Sequence, residues 1–295
     1  MKTLNGLGVA LITPFDTQGT VDFTALENIV HRHLLAGTDY LVLLGTTAET
    51  PTLSFDEKKQ IVNFVLKKFG TKIPLVLGLG GNHTQGLIHE MNQWDLSPFE
   101  AVLSVTPYYN RPTQMGLEQH YKILADHCPK PLLLYNVPSR TGVNLLPQTV
   151  ALLAEHPNII GVKEAVRDTN QIVELIDKVP KDFLVISGDD QLAPLLIYSG
   201  GVGCISVIGN AYPSAFQELL KLSRSDAEFM NHQLFRTFQP LIDLIFREGN
   251  PAGIKALLAH LNHCGDKVRL PLVSASQTLQ KQLRSTHEKS MLKAL

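Results

Sequence analysis

The sequence lacks an excess of charge of either sign. Across its 295 residues, 26 lysines and arginines stand against 27 aspartates and glutamates, with no basic block and no acidic tail. Binding to nucleic acid or to an anionic membrane surface depends on clustered positive charge. Neither a nucleic acid nor a membrane is therefore expected as the main partner.

Cysteines and long apolar runs are also scarce. The three cysteines, Cys128, Cys204 and Cys264, are far apart and have no CxxC spacing. An odd number of widely spaced thiols is typical of a reducing compartment, which predicts a cytoplasmic protein. The first apolar run is only about seven residues long before Pro14 and no small-residue cleavage site follows it, so neither a signal peptide nor a membrane span is expected.

What the sequence does contain is a regular alternation of short apolar runs with amphipathic segments. Apolar residues recur with helical spacing in segments 22–35, 55–69, 113–127, 147–155 and 169–178. Eight runs of strand length accompany them: 8–15, 40–45, 75–80, 101–107, 131–138, 159–165, 183–188 and 203–208. Repeated strand–helix units predict an α/β protein with the (β/α)8 TIM-barrel fold, and a doubly wound open sheet is the competing architecture.

The strand runs stop after Pro213, whereas helical patterns continue at 216–222, 227–244 and 253–264. No Ser/Gly/Pro-rich linker separates the two parts. We therefore predict a catalytic barrel over residues 1–224 and a small C-terminal helical extension over residues 225–295, packed against the barrel.

The sixth apolar run closes on a lysine, Lys163. Strand alternation places Gly161 and Lys163 on one face and Val162 and Glu164 on the other. A buried ammonium group loses hydration, which favours the neutral amine that can attack a carbonyl group. Lys163 is therefore the candidate nucleophile, and Gly161 is expected to leave space for a bound carbonyl compound. The alternative is a lysine that extends from the strand end to solvent.

Polar residues follow the other strands at the end of a barrel where active sites lie. The fifth strand places Tyr135 on the same face as Leu133 and Val137, so its phenol can relay protons beside Lys163. Arg140, in the loop beyond, is suited to bidentate binding of a carboxylate.

Two further strand exits carry hydroxyl groups. Residues 45–49 read Gly-Thr-Thr-Ala-Glu, a turn that can bind a carboxylate through N–H and O–H groups, although it is also ordinary turn chemistry. Tyr108 and Tyr109 stand between two prolines and are either proton donors or ring packing at the barrel rim. An amine, phenols and carboxylate-binding groups in one cavity favour Schiff-base chemistry on a 2-oxo acid.

Four segments resemble, in order, the signatures of the dihydrodipicolinate synthase and N-acetylneuraminate lyase family of pyruvate-dependent aldolases: residues 45–49, 105–110, 135–142 and 161–165. The resemblance covers nearly the whole chain, and the paired threonines and the arginine after Pro-Ser are more like the synthase branch. It implies a lyase that condenses pyruvate with L-aspartate 4-semialdehyde to 4-hydroxy-tetrahydrodipicolinate, in lysine biosynthesis through the diaminopimelate pathway.

The resemblance also implies catalytic roles. Lys163 is expected to form the Schiff base with pyruvate. Tyr135, Thr47 and Tyr109 are expected to form a proton relay, with Tyr109 reaching into the site of a neighbouring subunit. The assembly implied is a homotetramer built as a dimer of dimers.

The substrate-binding roles follow in the same way. Thr46 and Thr47 are expected to hold the pyruvate carboxylate, and Arg140 to meet the carboxylate of the semialdehyde. Gly188 and Ile205 are expected to line the pocket through backbone groups. The resemblance implies no metal and no organic cofactor.

The chain departs from the family pattern at two places. Ala48 replaces a glycine of the threonine turn, a mild change if its φ is negative and a strained one if it is positive. The positions that form a lysine feedback site in some members read Thr50, Pro51, Phe55, Lys58, Asn82, Gly86 and Tyr108. Asn82 and Tyr108 match, but Gly86 offers no carboxylate for the ligand's ammonium group, which predicts weak or absent inhibition by lysine.

Two other functions stay open from the sequence. One is another pyruvate-dependent activity on the same scaffold, either an N-acetylneuraminate lyase or a 2-keto-3-deoxy sugar acid aldolase. The other is a non-catalytic barrel that binds small acids, in which Lys163 is inert.

Overall fold

The structure is a computed structural model that describes residues 4–225, 228, 230 and 232–290. Residues 226–227, 229 and 231, near the predicted start of the extension, and residues 291–295, at its predicted end, lie outside the described residues. Eight parallel strands pair in sequence order and close into a barrel, β1 pairing with β8. The predicted TIM barrel is confirmed, and the open sheet is excluded.

Seven of the eight predicted apolar runs contain a whole strand that is shorter than the run, and the first run overlaps its strand in part. The strands are β1 Gly6–Ala10, β2 Tyr40–Leu43, β3 Leu75–Gly78, β4 Ala101–Val105, β5 Leu132–Asn136, β6 Ile159–Glu164, β7 Leu184–Ser187 and β8 Gly203–Ser206. The first strand begins at Gly6, before its predicted run of 8–15, and ends at Ala10, well before that run does. After Ala10 the chain leaves the barrel, and Phe15 forms an isolated antiparallel bridge with Val21.

The helices around the barrel include every predicted one. They are α1 Phe23–Ala36, α2 Phe55–Phe69, α3 Thr84–Met91, α4 Gln114–His127, α5 Pro138–Thr141, α6 Pro147–Leu153, α7 Thr169–Lys178, α8 Ala193–Tyr198 and α9 Pro213–Ser225. Helix α1 begins after Asp22, whose side chain accepts from the Ala25 N–H, and ends at Gly37, whose φ of 70° few other residues adopt without strain.

Three more helices follow the barrel: α10 Gln233–Arg247, α11 Ala252–His260 and α12 Gln277–Lys289. They pack against one another, and α10 also contacts α9. Their buried apolar residues join the layer between the strands and the outer helices. Among the described residues, no helix combines the length and the hydropathy that crossing a bilayer requires.

The apolar core forms two layers, one inside the barrel and one between the strands and the helices. On β5, Leu133 and Tyr135 belong to the inner layer, whereas Leu132 and Leu134 belong to the outer one. The alternation predicted for this strand is therefore confirmed, and it aims Tyr135 into the barrel.

Candidate active site

Lys163 and Tyr135 lie side by side at the carboxyl ends of β6 and β5. The strand register pairs the two residues directly. The Lys163 Nζ lies 4.2 Å from the centroid of the Tyr135 ring, and the two residues are only 5% and 7% exposed. Lys163 does not extend into bulk solvent, so its amine is held against a phenol ring inside the barrel mouth.

A polar network behind the strands fixes this arrangement. Glu164 points away from the barrel interior and accepts from Asn136 Nδ2 at 3.0 and 3.1 Å and from the Val166 N–H at 2.8 Å. Burial raises the pKa of the Glu164 carboxyl to about 7, because an ionised group loses hydration there. Asn136 and Glu164 bond across the two strands that carry Tyr135 and Lys163, and so support their register.

Two cavities meet at this pair. The first, of about 530 Å³, extends from Lys163 between the loops that follow β2 and β3, and the second, of about 430 Å³, extends toward Gly188 and Asn250. Thr46, Tyr135, Val137, Arg140 and Lys163 line both cavities. The structure therefore brings together five of the predicted site residues around one amine: Tyr135, Thr46, Thr47, Arg140 and Gly188.

Position 188 requires a glycine because it lies so close to the Lys163 side chain. A Cβ atom there would lie 2.9 Å from Lys163 Cε and 2.9 Å from Ala165 Cβ.

Gly161 has another role than the one predicted, because a Cβ atom there would meet the Leu184 carbonyl at 2.4 Å and Leu133 Cδ2 at 3.0 Å. The space beside Gly161 is filled by protein, so the expectation that it accommodates a carbonyl compound is wrong.

Gly188→Ala is expected to lower kcat/KM by about tenfold to a hundredfold, because the new methyl group displaces the Lys163 side chain and misplacement of a reacting group by about 1 Å is costly. Steady-state kinetics would measure the loss. Gly265→Ala is a matched control, since its Cβ would meet only the Phe15 carbonyl at 3.4 Å, an ordinary contact. Equal activity of the Gly188→Ala and Gly265→Ala variants would contradict the steric argument.

The threonine turn follows β2. Residues Thr46–Ala48 form a single 3-10 turn, and no acceptor among the described residues pairs with the backbone N–H groups of Thr46 and Thr47. These N–H groups are therefore available to an anionic ligand. Positive φ values in this segment occur at Leu44 and Glu49, not at Ala48, so the replacement of glycine by Ala48 is a mild change.

Two residues that the sequence did not indicate hold this turn. Asn250 Nδ2 donates to Thr47 Oγ1 at 3.0 Å, and Lys255 Nζ donates to Glu49 Oε1 at 2.5 Å. Both come from the C-terminal extension, 203 and 206 residues away along the chain. Neither belongs to a motif or a strand exit, so no local signal in the sequence marks them.

The other predicted site residues lie at different depths. Arg140, on the short helix α5, is exposed at the mouth of both cavities, with Nη2 3.5 Å from the Asn250 carbonyl. Tyr108 lines the first cavity, whereas Tyr109 lines neither and is 90% exposed. Ile205 lies in the inner apolar layer and lines neither cavity.

Within the part of the chain that the structure describes, no group of three or more His, Cys, Asp or Glu side chains is arranged to hold a metal ion. The groups that the two cavities present nearest to Lys163 include a phenol, hydroxyl groups and a guanidinium group.

This fold, with a buried lysine amine at the carboxyl ends of its strands, defines a class, the TIM-barrel lyases. Within that class, the chain belongs to the dihydrodipicolinate synthetase family, whose model matches residues 3–290.

Individual relatives agree with this assignment. A 4-hydroxy-tetrahydrodipicolinate synthase of Azobacteroides pseudotrichonymphae is 46% identical over 282 residues, which cover 95% of each chain. The crystal structure of a dihydrodipicolinate synthase from Thermotoga maritima has a TM-score of 0.94 at 37% identity and covers 98% of this chain and 99% of its own. A dihydrodipicolinate synthase from Acinetobacter baumannii, solved in complex with pyruvate, has a TM-score of 0.92 at 36% identity and covers 97% and 98%.

Proposed function

We propose that this chain condenses pyruvate with L-aspartate 4-semialdehyde to 4-hydroxy-tetrahydrodipicolinate, through a Schiff base on Lys163. The observation that carries the proposal is the buried Lys163 amine, held 4.2 Å from the Tyr135 ring where two cavities meet. Among the described residues, no carboxylate forms a salt bridge with Lys163, so its amine faces the cavity without a counter-ion. Such an amine is available to attack a carbonyl carbon.

The reaction begins at C2 of pyruvate. The Lys163 amine forms a C–N bond with this carbon, and the carbonyl oxygen leaves as water, which gives an iminium ion. Loss of a proton from C3 converts the iminium ion into an enamine. We assign these proton transfers to the Tyr135 phenol, whose ring lies beside Nζ, in relay with Thr47 and Tyr109.

Ring closure completes the cycle. The enamine carbon attacks the aldehyde carbon of the second substrate, whose oxygen takes up a proton to become the 4-hydroxyl group. The amino group of the semialdehyde then attacks C2 and displaces Lys163, which regenerates the free amine. We assign the binding of this second substrate's carboxylate to Arg140, and its exposed guanidinium at the mouth of both cavities supports the assignment.

Borohydride trapping tests the covalent step. Reduction in the presence of pyruvate should add to the peptide containing Lys163 the mass of pyruvic acid less one oxygen atom. The peptide containing Lys58, a second lysine of the first cavity, is the internal control and should stay unmodified. An unmodified Lys163 would end the proposal. Consumption of aspartate semialdehyde, and not of a 2-keto-3-deoxy sugar acid, separates the synthase from its relatives.

The assembly that we propose is a homotetramer, a dimer of dimers, located in the cytoplasm. Tyr109 supports it, because its ring is 90% exposed although its backbone is fixed at a φ of 72° beside the bonded pair Asn82 and Asn110. Met115, 68% exposed, lies nearby in sequence. An exposed aromatic ring on a rigid turn is suited to entering the site of a second copy.

The three free cysteines agree with the proposed location in a reducing compartment.

Mixing two inactive variants tests the shared site. Lys163→Ala lacks the nucleophile, and Tyr109→Phe lacks the phenol that we assign to the neighbouring site. In a mixed dimer, one site combines an intact Lys163 with an intact Tyr109 from the other subunit, so activity should reappear after co-refolding. Each variant refolded alone is the control. Activity that stays at the level of the separate variants would show that Tyr109 acts within its own chain or not at all.

We expect lysine to inhibit weakly or not at all. Thr50, Pro51, Lys58, Gly86 and Tyr108 line the first cavity, and Lys58 Nζ lies 3.9 Å from Glu90 Oε1. Glu90, a carboxylate that lines this cavity, therefore already has a cationic partner. Initial rates measured with millimolar lysine should match those without it, and strong inhibition would contradict the expectation.

A further inference from the structure

Asn250 precedes α11 in the C-terminal extension, yet it lines the second cavity together with Lys163, Thr47 and Gly188. We propose that Asn250 is a positioning residue that directs the Thr47 hydroxyl proton toward the carboxylate of pyruvate. The inference rests on the function proposed above, and it extends the site from the barrel to the segment that follows α10.

The donors and acceptors at Thr47 carry the argument. Asn250 Nδ2 lies 3.0 Å from Thr47 Oγ1, and an amide NH2 group can only donate. Thr47 Oγ1 is therefore the acceptor in this bond, so its own proton must point to another group. No acceptor for this proton occurs among the described residues. The natural acceptor is a ligand that only accepts, which is the property of a carboxylate.

The cost of burying Asn250 supports a functional role. The residue is 7% exposed, and its Oδ1 has no hydrogen-bond partner within the described part of the chain. An unpaired buried acceptor destabilises the fold, so an apolar side chain of similar size would fill this position at a lower cost. Among the described residues, the bond to Thr47 is the only hydrogen bond that the side chain of Asn250 makes.

Pre-orientation explains how the bond acts on the reaction. A Thr47 hydroxyl that already donates into the cavity does not have to be reordered when pyruvate binds. The Thr47 hydroxyl group keeps this orientation while pyruvate is attached to Lys163. Asn250 itself contacts no reacting atom, so it acts through Thr47, and its loss should weaken both roles proposed for that hydroxyl, the binding of the pyruvate carboxylate and proton transfer.

Asn250→Leu retains the volume and removes the donor. We expect it to raise the KM for pyruvate by about tenfold, the size of one hydrogen bond to a charged group, and to lower kcat as well, because Thr47 is also a member of the proposed proton relay. Gln282→Ala, which removes an exposed hydrogen bond to Arg247 in the same extension, is the control and should retain wild-type kinetics. If Asn250→Leu fails to fold, Asn250→Asp replaces it, because an aspartate accepts from Thr47 and turns the proton away from the ligand.

A double-mutant cycle with Thr47→Val separates positioning from packing. If Asn250 acts through the hydroxyl, the Asn250 substitution should have no further effect on KM in the Thr47→Val background. Additive effects, or an unchanged KM in Asn250→Leu, would overturn the positioning role. Borohydride trapping in the wild type separates the two proposals, because an adduct on Lys163 together with an unchanged KM rejects Asn250 alone, and the absence of any adduct rejects both.

Discussion

Lys163→Ala is expected to lower kcat by at least about a thousandfold, because the covalent route through an enamine disappears with the amine. We do not expect Lys58 to replace it, since this lysine lies on α2 with its Nζ 3.9 Å from Glu90 Oε1, and not at the end of a strand. A steady-state assay of product formation measures the loss, and circular dichroism checks that the barrel is intact.

Tyr135→Phe is the matched control for this experiment. It retains the ring that lies against Lys163 Nζ and removes only the phenol O–H. We expect this variant still to form the borohydride-trapped adduct with pyruvate while it turns over slowly, because the proton relay has lost a member. Full activity in Lys163→Ala would rule out the Schiff-base mechanism, whatever the behaviour of Tyr135→Phe.

The pairing of Lys163 with Tyr135 could be predicted because two simple rules act together. Alternation along a strand decides which side chains face the interior, and adjacency in a parallel barrel places consecutive strands side by side. The observed register, with Tyr135 opposite Lys163, agrees with both rules. The sequence could not predict how closely the amine approaches the ring, since the Asn136–Glu164 network behind the strands contributes to that distance.

The helices could be predicted where their apolar residues recur over several turns. Helix α12 was missed, because only Leu279, Leu283 and His287 are buried in a segment that is otherwise polar. Helices α3 and α8 have eight and six residues, too few for a clear period. Tertiary contacts stabilise these segments, and a local pattern does not record such contacts.

The groups that support the threonine turn were not predictable for a different reason. The turn itself was visible as two hydroxyl residues after a strand, but Asn250 and Lys255 reach it from more than 200 residues away. A lone asparagine before a proline and a lone lysine in an apolar helix are common features of many sequences. Only the packing of the extension against the barrel gives them a role in the site.

Glu49 and Lys255 form a buried ion pair. Removal of one partner is expected to destabilise the protein strongly. Both side chains are fully buried, Lys255 Nζ also donates to the Lys267 carbonyl at 2.9 Å, and Glu49 Oε2 accepts from the Arg269 N–H at 2.9 Å. Desolvation lowers the pKa of Lys255 from its ordinary value, in spite of the neighbouring Glu49. The pair therefore holds the threonine turn and the extension together at a site without solvent.

Lys255→Met retains the length of the side chain and leaves Glu49 buried without its partner. We expect a loss of about 3–5 kcal/mol in the free energy of unfolding, which lowers the melting temperature by roughly 10 °C. Arg284→Gln, which breaks an exposed pair with Glu288, is the matched control and should change stability by less than about 1 kcal/mol. The double variant Glu49→Met/Lys255→Met should recover part of the loss, because no buried charge is then unpaired. If Lys255→Met melts like Arg284→Gln, the pair does not hold the turn, and the Thr46–Ala48 geometry must depend on Asn250 and the strand alone.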